Sequence, residues 1–573
     1  MTQTKGDDSR RSRREDVWLV AGLLLLAVVL PLVVGVIAGS LEIPRNDDWS
    51  YRHIAVGLAR TGRFTLDGIS ETMIIGQILF TQPFLWVAGL QPWAFTAAGV
   101  VFATAGILSA FAMARRVLPA RDAALAAALL AIFPGYLAYA TSFMSDVPAL
   151  AAQFLSLALG AIAIRRRPVH MGWLLAAAAM GIFAFSIREF AAAAPASVML
   201  AAIAAERGRV RMWAFAIGVV AFCVGIHVWR STLPGQLPPV GPGFGSFSQS
   251  MQVFSSIAFV IAPAALVGAI KWRDHLRRID LLIGLEVGSI LAVARLLQWV
   301  SDGSMPPIIL ENLASQWGVP ARLYVVGGRP PLFTDAEWAA VNGLALVATV
   351  VVLALGAGIA GAHLRRCDKS LRVLVSRVGS PAGLLVLFAL AVTAGLVGFG
   401  LSRPIFDRYF WPLVPPVAAL FLYLPSDLKA NRSLLPTRRA TRVLAGSATA
   451  IGAVLASISL VFLLNSNAFD AGRWRAGEQL VKLGIRADEI DAGYEWMGYH
   501  ATSPGDPTRR TSTVTFYRSW WPSFRECGLV SSEVTNRPDV QLVGTTEYEL
   551  KLISGPTETL YLYQISSLDC RSG

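Results

Sequence analysis

Apolar stretches of bilayer-spanning length recur along this chain, and its basic clusters follow only every second one. The first stretch runs from Val17 to Gly39 without a charge, long enough to cross a hydrocarbon core of roughly 30 Å. Others centre near residues 105, 130, 156, 178, 198, 220, 261, 289, 349, 391, 416 and 453. Basic clusters lie at Arg115–Arg116, Arg165–Arg167, Arg207–Arg211, Lys271–Arg278, Arg365–Arg377 and Lys429–Arg442. Each follows an even-numbered stretch. Because Lys and Arg favour cytoplasmic loops, this alternation predicts an α-helical polytopic membrane protein of about thirteen spans with its N-terminus in the cytoplasm. Composition agrees: charged residues make up only 15% of the chain and hydrophobic ones 54%, against about 25% charged in soluble domains. The net charge of +13 does not point to nucleic acid. It sits in short loops between apolar runs, where basic residues meet anionic lipid.

The chain divides accordingly. Residues 1–16, with Arg10, Arg11, Arg13 and Arg14, read as a cytoplasmic tail. Residues 17–464 read as the transmembrane domain, and the first apolar run as a retained anchor rather than a cleaved signal, since it is long and lacks a small-residue cleavage site. Residues 40–92 form a long first outer loop. In it Tyr51, Ile54, Ala55, Leu58 and Ala59 recur at helical spacing, predicting an interfacial helix. Residues 465–573 return to polar composition and read as a small extracytoplasmic α/β domain. A helix is expected over Arg473–Leu480, and strands over Thr511–Tyr517, Val540–Val543 and Thr559–Ile565. Cys527 and Cys570 share this domain, where oxidation is permitted, and are expected to pair. Cys223 lies in a span and Cys367 in a cytoplasmic loop. The six histidines are scattered, with no metal-ligand spacing. The expected location is the plasma (inner) membrane, crossed many times.

Chemistry-bearing residues collect on the side opposite the basic loops. Asn46-Asp47-Asp48-Trp49-Ser50-Tyr51 follows the first span directly. Adjacent carboxylates at a membrane surface suit removal of a proton from an incoming hydroxyl, or the holding of a cation. Their bland alternative is the capping of the next helix. Asp146, in Ser145-Asp146-Val147-Pro148, is likewise a second acid or a cap. Arg188 precedes Glu189 near a span end, where a structural bridge competes with a phosphate contact. Arg403 and Arg408 flank a proline turn, and Arg408 beside Asp407 has loop anchoring as its alternative. Most tryptophans fit an interfacial belt; Trp49 is placed instead as a sugar platform.

The string Asp47 to Ala55, with Leu58 and Gly62, resembles the first outer loop of GT-C-fold membrane glycosyltransferases. The nearest group is the superfamily of protein mannosyltransferases and aminoarabinose transferases (glycosyltransferase family 39-like). The resemblance continues at Gln82-Pro83-Phe84-Leu85, Met144-Ser145-Asp146-Val147-Pro148 and Arg408-Tyr409-Phe410-Trp411-Pro412. This chain has Asp48 where the family usually has Glu. The resemblance implies inverting transfer of a sugar from a polyprenyl-phosphate-linked donor to a hydroxyl of an envelope glycan, lipid or protein. It places the base at Asp47, with Asp48 orienting it or the acceptor and Asp146 as the second acid. Tyr51, Arg188, Arg403, Arg408 and Trp49 then become the candidate substrate contacts. No cofactor is implied outright, although the acidic cluster is able to hold a divalent cation through oxygen ligands. The competing class is a lipid or polysaccharide transporter. Such proteins carry ionisable groups near the midplane and paired internal repeats, whereas here the acids lie in outer loops and no repeat is visible.

Overall fold

A computed structural model describes residues 4–70, 72–236, 247–302, 309, 314–320, 322–365, 371–400, 405–425, 438–509, 515–550, 556–566 and 570. Every expected apolar centre falls on a helix. Among the described residues, eight helices are long and apolar enough to cross a membrane, from Arg14–Ala38 to Thr441–Lys482. Others expected as spans are short. Ala120–Ala131 has 12 residues, about 18 Å at 1.5 Å per residue, and stops at Phe133-Pro134-Gly135, where Gly135 takes a φ of +90°. Val414–Leu422 has 9 residues and is preceded by a 3₁₀ segment, Asp407–Leu413. Pro412, Pro415 and Pro416 supply no amide donors there, so a regular helix cannot run through. These two apolar segments are thus short or interrupted helices, and Arg408 sits on the 3₁₀ segment that precedes the second. The expected first outer loop holds two helices rather than one: Asp48–Thr61 and the apolar Ile75–Ala88.

Small residues let the helices approach closely. Ala123, Ala126, Ala127 and Ala131 are fully buried. Gly99, on the Trp93–Ala114 helix, lies under the Thr141–Ser142 turn. A Cβ there would stand 2.6 Å from the Thr141 carbonyl oxygen and 3.0 Å from that of Ser142. The turn that leads into Asp146 therefore rests on bare backbone.

The C-terminal α/β domain carries a four-stranded sheet, made of β1 (Ile490–Asp491), β2 (Gly528–Ser531), β3 (Val540–Glu549) and β4 (Thr557–Ile565). Its order is β1-β2-β4-β3, with β1 parallel to β2 and the other pairs antiparallel. The expected strands over Val540–Val543 and Thr559–Ile565 lie in β3 and β4. Residues 511–514 of the first expected strand lie outside the described residues, and Thr515–Tyr517 lead into a 3₁₀ turn instead. Cys527 and Cys570 are joined, with Cα atoms 5.5 Å apart. The boundary expected at 464/465 falls inside one continuous helix, Arg438–Lys482. A rigid rod, not a linker, carries the chain from the membrane domain into the sheet domain.

Candidate active site

The chain reverses at Asn46, whose φ of +53° is a conformation that asparagine tolerates better than most residues. This is fixed from outside. Glu495 Oε1 accepts the Asn46 amide at 3.0 Å, and the Tyr324 hydroxyl donates to Asn46 Oδ1 at 3.0 Å. Glu495 is itself held by Arg473 at 2.9 Å. Asp470, on the same rod helix, takes Arg45 at 3.2 Å. Three elements far apart in sequence thus pin the residue before Asp47 and its neighbour Arg45.

The two aspartates have different surroundings. Asp48 is wholly buried. Arg52, one turn on, pairs with both its oxygens, and the Phe143 amide donates to Oδ2 at 3.1 Å. Asp48 thus ties the Asp48–Thr61 helix to the turn that carries Asp146. Asp47 keeps 30% of its side chain exposed. It makes no side-chain cap bond, so capping is not what its carboxylate does. Oδ1 accepts the Tyr494 hydroxyl at 2.8 Å, and Oδ2 lies 3.6 Å from Arg408 Nη2.

Asp146 opens the Asp146–Arg165 helix, also without a side-chain cap bond. It is 3% exposed, with Oδ2 at 3.0 Å from Arg188 Nη2 and 3.6 Å from Arg408 Nε. Its other oxygen has no hydrogen-bond partner among the described residues. Arg188, in the turn after the Met171–Phe185 helix, also donates from Nε to Ser145 Oγ at 2.9 Å. Ser145 in turn meets the buried phenol of Tyr51. Arg408 is 6% exposed. Its guanidinium lies over Phe406 and Tyr409, at 5.1 Å and 5.7 Å from the ring centres. It faces both Asp47 and Asp146, yet Nε and Nη1 have no hydrogen-bond partner among the described residues. Two carboxylates therefore share one arginine whose fork still has donors to give.

The remaining expected contacts fare differently. Arg403 lies outside the described residues. Trp49 is 2% exposed and packs edge-on to Tyr494 and against Trp521, with ring centres 5.9 Å and 5.8 Å away. Gly498 must lack a side chain to admit it. This corrects the sugar-platform expectation: Trp49 cements the interfacial helix to the C-terminal domain. Tyr324, Tyr494, Glu495 and Arg473 went unrecognised in the sequence. Buried tyrosines have packing as their ordinary role, and no local spacing connects Tyr494 to a residue 447 positions away.

Among the described residues, no group of three or more His, Cys, Asp or Glu side chains converges to hold a metal ion. An apolar groove of about 490 Å³ runs between Phe247–Trp272 and its neighbours. Val253, Ile257, Val287 and Leu396 line it, and its wall includes Ile405 and Leu413, which bracket Arg408 in sequence.

Residues 77–229 match the family model described as dolichyl-phosphate-mannose-protein mannosyltransferase. This agrees with the resemblance carried by the motifs. The matched segment contains Asp146 and Arg188 and stops short of Asp47 and Arg408. The crystal structure of ArnT from Cupriavidus metallidurans bound to undecaprenyl phosphate is similar over 96% of this chain and 99% of its own, at 14% identity and a TM-score of 0.44. The Archaeoglobus fulgidus oligosaccharyltransferase in the apo form is similar over 79% of this chain and 59% of its own, at 16% identity and a TM-score of 0.38. No curated protein matches.

Proposed function

We propose that this chain is a polyprenyl-phosphate-sugar-dependent glycosyltransferase acting on a hydroxyl of an envelope glycan, lipid or protein at the extracytoplasmic face. The observation that carries this is the pairing of a partly exposed carboxylate, Asp47, with a buried arginine, Arg408, that has donors to spare. The acceptor oxygen attacks the anomeric carbon and gives its proton to Asp47. The bond from that carbon to the carrier phosphate breaks, its electron pair leaves with the phosphate, and the configuration inverts. A proton-accepting carboxylate contributes about 10²–10⁴-fold to such a step.

The leaving phosphate gains charge as the bond breaks, so fixed donors aimed at it stabilise the transition state more than the ground state. Arg408 suits this task better than Arg188, whose Nε and Nη2 are committed to Ser145 and Asp146. Asp146 keeps both arginines in place. The groove beside Ile405 and Leu413 would take the polyprenyl chain. Since Arg408 lies against both carboxylates, it supplies the positive charge there, and transfer should persist in a chelator.

Purified protein given a panel of polyprenyl-phosphate sugars tests this. At least one donor should be consumed, with release of polyprenyl phosphate, in EDTA as well as without it. Failure to consume any donor while moving a labelled lipid across vesicles would replace the enzyme with a transporter.

A further inference from the structure

The C-terminal domain reaches the Asp47 carboxylate through the Tyr494 side chain. Tyr494 stands at the start of the Tyr494–His500 helix, directly after Gly493, whose φ of +97° turns the chain out of β1. It is 1% exposed, and its hydroxyl donates to Asp47 Oδ1 at 2.8 Å. The next residue, Glu495, accepts the amide of Asn46. Two consecutive residues of this helix therefore grip two consecutive residues of the first outer loop. One of these, Asn46, holds a left-handed backbone that costs of order 1 kcal/mol or more unless its surroundings impose it. Such over-determination one residue before a half-exposed carboxylate marks a position where geometry matters.

We propose that Tyr494 is a positioning residue for the base: it holds Asp47 by Oδ1, so that Oδ2, on the Arg408 side, is the oxygen presented to the acceptor. This rests on the assignment of Asp47 as base. A carboxylate that rotates freely offers its lone pairs in many directions, and a misplacement of about 1 Å can cost on the order of 10²-fold. A neutral donor on the non-reacting oxygen fixes the rotor without removing the negative charge. Burial, and then the Asp47 carboxylate, push the Tyr494 phenol well above its usual value. It therefore keeps its proton and always donates. The other polar groups facing the pair are Arg408 from the 3₁₀ segment, Tyr324 from the preceding loop, Asn46 and Glu495. Asn46 Nδ2 makes a long donation to Oδ2 at 3.4 Å, and none of these groups donates to Oδ1 in the described structure. The sheet domain is thus part of the catalytic apparatus, since the rod helix and Tyr494 deliver a hydroxyl to the base.

Tyr494→Phe tests this in the full-length protein. The expected result is a fall in kcat of about tenfold or more with donor KM within about twofold of wild type. Tyr517→Phe is the control for loss of a buried phenol: its hydroxyl bonds Asp491, and its kcat should stay within about twofold of wild type even if thermal stability drops. Should Tyr494→Phe fail to accumulate, 4-fluorophenylalanine at 494 nearly keeps the shape but cannot donate, and it should lower kcat likewise. Unchanged kcat in Tyr494→Phe, or in the 4-fluorophenylalanine variant, overturns the proposal. If Asp47→Asn is inactive in the same assay, the base assignment survives that outcome. If Asp47→Asn is fully active, the base assignment falls, and the role of Tyr494 with it.

Discussion

Replacing Arg408 separates a phosphate-binding guanidinium from a merely structural one. The side chain is 6% exposed and lies 3.6 Å from Asp47 and from Asp146. Those contacts are too long for hydrogen bonds, so its donors are not spent on holding the fold. A hydrogen bond to a charged group contributes about 1.5–3 kcal/mol. At about 1.4 kcal/mol per tenfold, loss of one such bond to phosphate raises the donor KM by roughly 10- to 150-fold. Arg408→Lys keeps the charge between the two carboxylates but lacks the planar fork, so donor KM should rise about tenfold with the protein still folded. Arg408→Ala should reach the upper part of the range. It should also lose stability, because two acids then share less positive charge. Arg188→Lys is the comparison. Arg188 is bound to Ser145 at 2.9 Å and Asp146 at 3.0 Å, so its replacement should lower the melting temperature while donor KM moves by about threefold or less. Initial-rate kinetics with donor varied at saturating acceptor gives both numbers. Wild-type donor KM in Arg408→Ala would refute the phosphate role, and a large donor effect confined to Arg188→Lys would transfer it to Arg188.

Further outcomes concern the scaffold. Gly99→Ala places a methyl 2.6 Å from the Thr141 carbonyl; overpacking of this kind costs about 1–3 kcal/mol. Because the displaced turn leads to Asp146, melting temperature and turnover should fall together, and a silent variant would show that the turn yields freely. Opening the Cys527–Cys570 link, which closes 43 residues, should destabilise the C-terminal domain by roughly 3–4 kcal/mol; unchanged protease resistance after reduction would contradict this. A tag after residue 573 should be labelled on intact cells, while one before residue 17 should require permeabilisation. The reverse pattern would invert the topology.

The sequence made the helices legible but not their lengths. Hydropathy and basic clusters locate each expected span but miss the apolar Ile75–Ala88 helix. Length is decided by where backbone donors run out, as at Pro134-Gly135 and at Pro412, Pro415 and Pro416, and by whether neighbours cover the break. The acids and arginines of the site were legible because each lies in a short motif beside a span end. Asp47, Asp146, Arg188 and Arg408 converge, although they come from four separate segments. The burial of Asp48 and Trp49 was not legible for one reason: adjacency in sequence suggested shared exposure, while a helix start turns successive side chains in different directions. Tyr494 and Glu495 were invisible, because their meaning comes only from the contact of the Tyr494–His500 helix with Asn46 and Asp47. No periodicity encodes a contact of that range.

The central claim is that Asp47 takes the acceptor's proton. Asp47→Asn preserves size and can still accept the Tyr494 hydroxyl through its amide oxygen, but it cannot carry a proton away. Sugar transfer by the purified variant, with donor binding measured in parallel, is the direct test. Turnover should fall about 10²–10⁴-fold with donor affinity near wild type. Turnover within a few-fold of wild type would contradict the account and leave Asp146, one oxygen of which has no hydrogen-bond partner among the described residues, as the candidate base.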